Sequence, residues 1–382
     1  MEVNPEFDDI RPYNDDEVAP VIQHLFENLK MRESLELYFP NLEWESFRTQ
    51  ALSIRNVYDL QHKIIMSLVK DLVKRSSTSM TVSGFENISK NTPYLYVSNH
   101  RDIVLDVSIL SVLLADNGFT TPEIAIGNNL LLAPWIEELV KLNKSFIVKR
   151  DVSGRQMLEV SRHLSQYIHY VIKSKKNSVW ISQREGRAKD SDDRTQDSLL
   201  KMLAMGSDKN FLDSIRELNI TPISLSYEYD PCDFLKTKEF QQRRDDPEFK
   251  KSRVDDLVSM ETGLFEFKGN IRFKIGKPIN SQLEKLDKNL CRNELTPQIA
   301  QIIDNEIFLN YHFYPANFIA YDRLWKKDFF KGKYTLEDEK NFDTHIQKQL
   351  EKIDLPDKDI PFLTEKILEM YANPVKNQLS VK

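Results

Sequence analysis

Apolar residues along the chain fall into three regimes. From about Ala19 to Arg75 they recur at helical spacing: Val57, Leu60, Ile64, Leu68 and Leu72 form one stripe, widened by Ile65, Val69 and Val73. Lys63, Lys70 and Lys74 share another face. That pattern suits either a helix with one side on the core or a basic helix resting on an anionic membrane. From Met80 to about Asn280 short, β-rich apolar runs take over, at 94–98, 123–127, 145–149, 178–182, 221–227 and 270–276. Helical patterns lie between several of them. The clearest covers 153–173, where Met157, Val160, Leu164, Tyr167, Ile168 and Val171 are periodic and Ser153 with Gln156 reads as a capping box. Strands separated by helices of this length predict an α/β fold: a layered, mostly parallel sheet flanked by helices, with N- and C-terminal helical additions. Beyond 280 the pattern is helical again, over 284–311 and in shorter pieces to the end. Four regions follow: an acidic flexible tail at 1–18, an N-terminal helical region at 19–79, the α/β domain at 80–280 and a C-terminal helical region at 281–382.

Composition narrows the class. The chain has 382 residues, 40% of them hydrophobic and 29% charged, a folded rather than a disordered profile. No apolar run approaches the roughly 18 residues needed for a transmembrane helix. The first residues are acidic with no apolar core, so no signal peptide is expected. Two distant cysteines, Cys232 and Cys291, argue against a disulfide framework or a cysteine metal site and suit a reducing cytoplasm. A net charge of -6 offers no general attraction to nucleic acid.

Glycine-rich nucleotide loops, serine-hydrolase elbows and zinc-protease motifs are all missing from the sequence. Three strand ends instead carry polar clusters. The run from Tyr94 ends in Asn99, His100, Arg101 and Asp102, with Asp106 in the apolar stretch that follows. A histidine with a carboxylate one or two helical turns away is the pattern of a general base; a solvent-facing helix cap would look similar. The run 178–182 leads into Arg184, Glu185, Gly186, Arg187 and Lys189, and the run 145–149 into Arg150. Arginines around a glycine can hold a phosphate, or simply make a charged surface turn.

In this order the clusters resemble the glycerolipid acyltransferase superfamily, which includes glycerol-3-phosphate and lysophosphatidate acyltransferases. Asn99-His100…Asp106 resembles the family's N-H-x4-D block, Ile147–Arg150 its F-I-x-R block, Glu185-Gly186-Arg187 its E-G-x-R block, and 220–228 its proline-strand block, with the Tyr-Glu ending of the glycerol-3-phosphate branch. Gly84-Phe-Glu-Asn87 is similar to the turn that often precedes the domain. The resemblance spans about 80–280. Five residues separate His100 from Asp106 where the family has four, and Arg187 follows Gly186 directly.

The resemblance implies an O-acyltransferase of phospholipid synthesis. His100 would be the general base, Asp106 its partner, and Glu185 a positioning group at the catalytic centre. Asn99, Arg150, Arg184, Gly186 and Arg187 would bind substrate. The donor would be an acyl thioester of coenzyme A or acyl carrier protein, and the acceptor a glycerol phosphate or lysophospholipid. It implies no metal and no cofactor, and a cytoplasmic protein peripheral on the membrane surface. Two other readings stay open: acylation of a different lipid hydroxyl, such as that of an amino-acid-containing lipid, and a catalytically silent lipid-binding or scaffold protein. Leu130, Leu131, Leu132, Trp135 and Ile136 line either an acyl groove or the core. Asp102 competes with Asp106 as partner of His100. Asp102 stands where a helix cap is expected, whereas Asp106 would be costly to bury alone, which favours Asp106.

Overall fold

The computed structural model describes residues 4–150 and 152–381. Among these, seven strands form one sheet: β1 (Ser79–Ser83), β2 (Leu95–Ser98), β3 (Glu123–Gly127), β4 (Ser145–Val148), β5 (Val179–Ser182), β6 (Thr221–Tyr227) and β7 (Asn270–Ile275). Their order is β1-β7-β6-β2-β5-β3-β4. Strands β2 to β6 are mutually parallel, so their carboxyl ends share one edge. Strand β7 pairs antiparallel with β6 and parallel with β1. The sheet is thus mostly parallel, flanked by helices, with helical additions at both ends, as the pattern predicts. Strand β1 is not legible in advance. Met80 and Val82 are its only apolar residues, and it lies at the sheet edge with its side chains partly in water.

Alternation along the strands divides the core. Leu95, Val97, Val179 and Ile181 point to one face and meet Leu164, Ile168 and Val171 of the helix Arg155–Lys173 and Ile299, Ile303 and Ile307 of the helix Arg292–Leu309. Tyr96 and Trp180 point to the other, against Leu110 and Val112 of the helix Leu105–Asp116 and Val69 and Val73 of the helix Met66–Ser76. Burying each such aliphatic side chain stabilises by about 1.5–3 kcal/mol. The helix Leu105–Asp116 is apolar all round, with nine of its twelve residues buried, which suits a central helix. A separate cluster joins the helices Pro315–Trp325, Leu336–Lys352 and Ile360–Val381 through Ile319, Phe342, Leu363 and Tyr371.

Three expectations are corrected. The acidic segment is not a flexible tail over its described residues, 4–18; Met1–Val3 lie outside them. Phe7 and Ile10 are buried in the core, and the Ile10 carbonyl accepts from Ile147 N on β4 at 2.9 Å. The acids have structural roles: Asp9 pairs with Lys149 at 2.5 Å and His163 at 2.9 Å, while Asp15, Asp16 and Glu17 open the helix Asp15–Phe26, where its dipole favours them. The capping box at Ser153 does not form, because Gly154, with φ at +59°, precedes the helix Arg155–Lys173. The helical pattern over 284–311 is interrupted: Asn289 turns back on Asp287, and a helix starts afresh at Arg292 with the Cys291 amide held by Glu294. The stripe of the 57–73 segment faces the core, the first of its two readings, and on the other face Lys63 and Lys70 pair with Asp59 (3.1 Å) and Asp116 (2.8 Å).

Candidate active site

At the carboxyl end of β2 the chain enters a turn closed around one carboxylate. Asp102 caps the following helix: its Oδ1 accepts from Val104 N (2.9 Å) and Leu105 N (2.6 Å). The helix therefore begins at Leu105, and Asp106, in its first turn, reaches back across the loop. Asp106 Oδ2 accepts from Arg101 N (2.6 Å) and Asp102 N (3.0 Å) and lies 2.8 Å from His100 Nδ1. The extra residue in this block is thus absorbed in a non-helical turn, and Asp106 rather than Asp102 meets the histidine. Because an ionised carboxylate only accepts, Nδ1 carries the proton and Nε2 is the basic nitrogen. The His100 side chain is 12% exposed, with its ring edge toward Trp180 at 5.7 Å between centroids.

The two neighbouring carboxyls are pushed apart in acidity. Burial raises Asp106, but the His100 bond and charge and the two amides outweigh it, and Asp106 stays below the ordinary carboxylate range. Asp102 is raised by burial and by the charge of Asp106, only partly offset by its cap bond to Leu105 and by Lys268 and Arg187. Its Oδ2 is buried without a partner. That oxygen faces Gly263 of the helix Arg253–Phe265, where a Cβ would overlap it.

Strand β5 continues beside this turn, Gln183 N donating to Ser98 O at 2.9 Å. Beyond it Gly186 takes φ of +66°, and Glu185, 69% exposed, approaches Arg150 Nη1 at 3.5 Å. The E-G-R and I-V-K-R strand ends therefore meet. Arg150 passes close to β3: a Cβ at Gly127 would lie 2.7 Å from its Nε. Arg184 Nε is buried without a partner.

Two site residues sit differently from their expected roles. Asn99, expected to bind substrate, is fully buried and spends its side chain on β6, accepting from Leu225 N (2.8 Å) and donating to Leu225 O (3.0 Å). Arg187, expected to reach a phosphate, has its guanidinium turned inward toward Cys232, Asp102 and Asp230, whose fields outweigh burial and raise its pKa; its Nη1 is buried and unpaired.

Sequence reasoning missed a second network. Arg101 makes a buried two-pronged ion pair with Asp193 (2.8 and 2.6 Å), and Tyr311 OH donates to Asp193 Oδ2 at 2.5 Å. The Arg101 carbonyl accepts from Lys236, which pairs with Asp230. Arg101 lies inside the lengthened block, so that extra residue was the available signal. Of the apolar run, Leu131 packs against the sheet core and Trp135 against the N-terminal helices, while Leu130, Leu132 and Ile136 stay half-buried.

A parallel sheet whose carboxyl edge carries a histidine–carboxylate pair with arginines nearby is where an α/β domain can place reactive groups. Residues 79–225 match the family model named Acyltransferase. The glycerol-3-phosphate acyltransferases of Pseudomonas aeruginosa and Ectopseudomonas mendocina are 26% and 27% identical to this chain over 213 and 220 residues, covering 56% and 57% of it. The matched segment spans only about a quarter of those relatives, 24% and 25% of their length. The 1-acyl-sn-glycerophosphate (LPA) acyltransferase of Thermotoga maritima aligns over 75% of this chain and 93% of its own, with a TM-score of 0.35 and 10% identity. Residues 79–225 are thus an acyltransferase domain similar to that of glycerol-3-phosphate acyltransferases.

Proposed function

We propose that this chain transfers a fatty acyl group from an acyl thioester to a hydroxyl of glycerol-3-phosphate or lysophosphatidate. The observation that carries the reading is the His100–Asp106 dyad, with Nδ1 fixed by a buried carboxylate at the sheet edge where the strand-end arginines gather. His100 Nε2 takes the proton of the acceptor hydroxyl. The oxygen attacks the thioester carbonyl, the carbon–sulfur bond breaks, and the imidazolium returns its proton to the departing thiolate. Asp106 stabilises the imidazolium. Arg150 and Arg184 hold the acceptor phosphate: the first makes a long pair with the exposed Glu185, and the second has a buried donor without a partner among the described residues. Glu185 positions Arg150. Arg187, behind them, balances Asp102 and Asp230.

The acceptor or product is a lipid, so the protein works as a peripheral membrane enzyme in the cytoplasm. Among the described residues no helix is long and apolar enough to cross a membrane. The helix Arg253–Phe265, which packs against Asp102 through Gly263, presents Val254, Leu257 and Val258 to solvent and suits contact with the lipid surface better than the paired Lys63 and Lys70.

The test is thiol release from acyl-coenzyme A and from acyl-acyl carrier protein with glycerol-3-phosphate, lysophosphatidate or buffer alone. Release that depends on one of the two phosphate acceptors, and that falls about 10²–10⁴-fold in His100→Ala, supports the reading. Turnover above about half of wild type in that variant removes His100 from the mechanism; release with neither acceptor and either donor refutes the assignment.

A further inference from the structure

Strand β6 frames the catalytic turn from both sides. Backbone pairing between β2 and β6 ends at Ser98 and Ile223. Beyond that point side chains take over: Asn99 grips both backbone groups of Leu225, and the Tyr227 hydroxyl donates to Asp106 Oδ1 at 2.8 Å. The other oxygen of Asp106 is filled by His100, Arg101 N and Asp102 N. Tyr227 and Asp106 are both buried.

On the reading of His100 as general base, we propose that Tyr227 is a positioning residue of the dyad, its hydroxyl locking Oδ1 of Asp106 so that Oδ2 stays aimed at His100 Nδ1. A carboxylate turns about a broad, shallow torsion and needs a contact on each oxygen to hold one orientation. The same bond draws negative charge off Asp106 and so sets how tightly the imidazolium keeps its proton. The phenol is suited to the task because burial, with Asp106, Asp102 and Asp230 nearby, pushes its ionisation well above the ordinary tyrosine range, leaving it a permanent donor. The other charges facing this group are Arg187 and Lys268, which act on Asp102, and Arg101, held by Asp193. A tyrosine serving only as a packing strut would be replaced by phenylalanine without consequence for the dyad.

The experiment compares wild type, Tyr227→Phe, Asp106→Asn and the double variant. Tyr227→Phe is expected to lower kcat about tenfold to a hundredfold, the worth of one hydrogen bond to a charged group, with both KM values within about twofold. The acidic limb of its pH–rate profile should move up by roughly one unit, because the carboxylate left behind binds the imidazolium more tightly. In the double variant the phenylalanine should cost turnover much less than it does alone, since the charge it serves is gone. Independently of any substrate, ¹⁵N-histidine NMR should show the His100 Nδ1 proton, identified by its loss in His100→Gln, displaced in Tyr227→Phe and exchanging about tenfold faster or more. An unchanged Nδ1 signal and pH profile, or additive losses in the double variant, overturns the role of Tyr227. A fully active His100→Ala instead overturns the base assignment on which it rests, so the two failures are separable.

Discussion

Replacing each aspartate of the turn by asparagine separates their roles. Four donors converge on Asp106: His100 Nδ1, Arg101 N, Asp102 N and Tyr227 OH. Asparagine at 106 can keep its one oxygen on the three N–H groups and turn its amide toward Tyr227, whose hydroxyl rotates to accept. The turn survives, but its four charge-assisted bonds become neutral ones of roughly half the strength. After the lower cost of burying a neutral group is counted, the net loss of stability is about 1–3 kcal/mol. Turnover loses the anion that stabilises the imidazolium and should fall about 10²–10⁴-fold. At 102 the outcome differs. The asparagine oxygen keeps both cap bonds and caps as well as aspartate, the amide replaces an oxygen with no partner, and repulsion with Asp106 disappears. Activity should stay within about threefold and stability within ~1 kcal/mol. The pH dependence has opposite signs. Asp106 is held below 3.8, so its stabilisation is present above that value and fades as pH falls through its lower folded value. Asp102 is raised above 3.8, so its contribution is full below that value and is lost as pH rises through its elevated folded value; Asp102→Asn removes that loss. Thiol-release rates near neutral pH and urea unfolding from about pH 2 to 8 read both effects. An inactive Asp102→Asn beside an active Asp106→Asn would refute the assignment.

Gly263→Ala drives a Cβ into Asp102 Oδ2, and overpacking of this kind costs about 1–3 kcal/mol; urea unfolding should show the loss, and activity should fall with it because the cap is displaced. Arg101→Met leaves Asp193 buried without its partner, an expected loss of about 3–5 kcal/mol by the same measurement, whereas Arg101→Met with Asp193→Leu should recover much of it.

The sheet was readable because its central strands are short apolar runs with alternating faces, as in Leu95-Tyr96-Val97. Strand β1 was not, because an edge strand half in water needs few apolar residues. The N-terminal segment misled for a related reason: Phe7 and Ile10 are two isolated apolar residues among acids, and only the tertiary structure shows that both are anchors. His100 was legible as a candidate base, but its partner hinged on where the helix begins. That point is fixed by Asp102 capping at Leu105, a one-residue detail below the resolution of periodicity. The arginines were legible as a set and not individually, since Arg187 and Arg150 differ in what surrounds them rather than in sequence. Asp193 and Tyr311 gave no local sign, because their partners lie 92 and 118 residues away.

Those separations also fix when the site can exist during synthesis. The turn that carries His100 is encoded before residue 107, yet Asp106 waits for Tyr227, 121 residues later, and Arg101 for Asp193 and then Tyr311. A growing chain can close the local bonds of the histidine turn early, but its brace from Tyr227 waits until β6 has joined the sheet, and that from Tyr311 until the helix ending at Leu309 has also formed. Long-range closures of this kind are slow steps in folding. On the proposed role of His100, the site is therefore braced in full only after Tyr311 has left the ribosome.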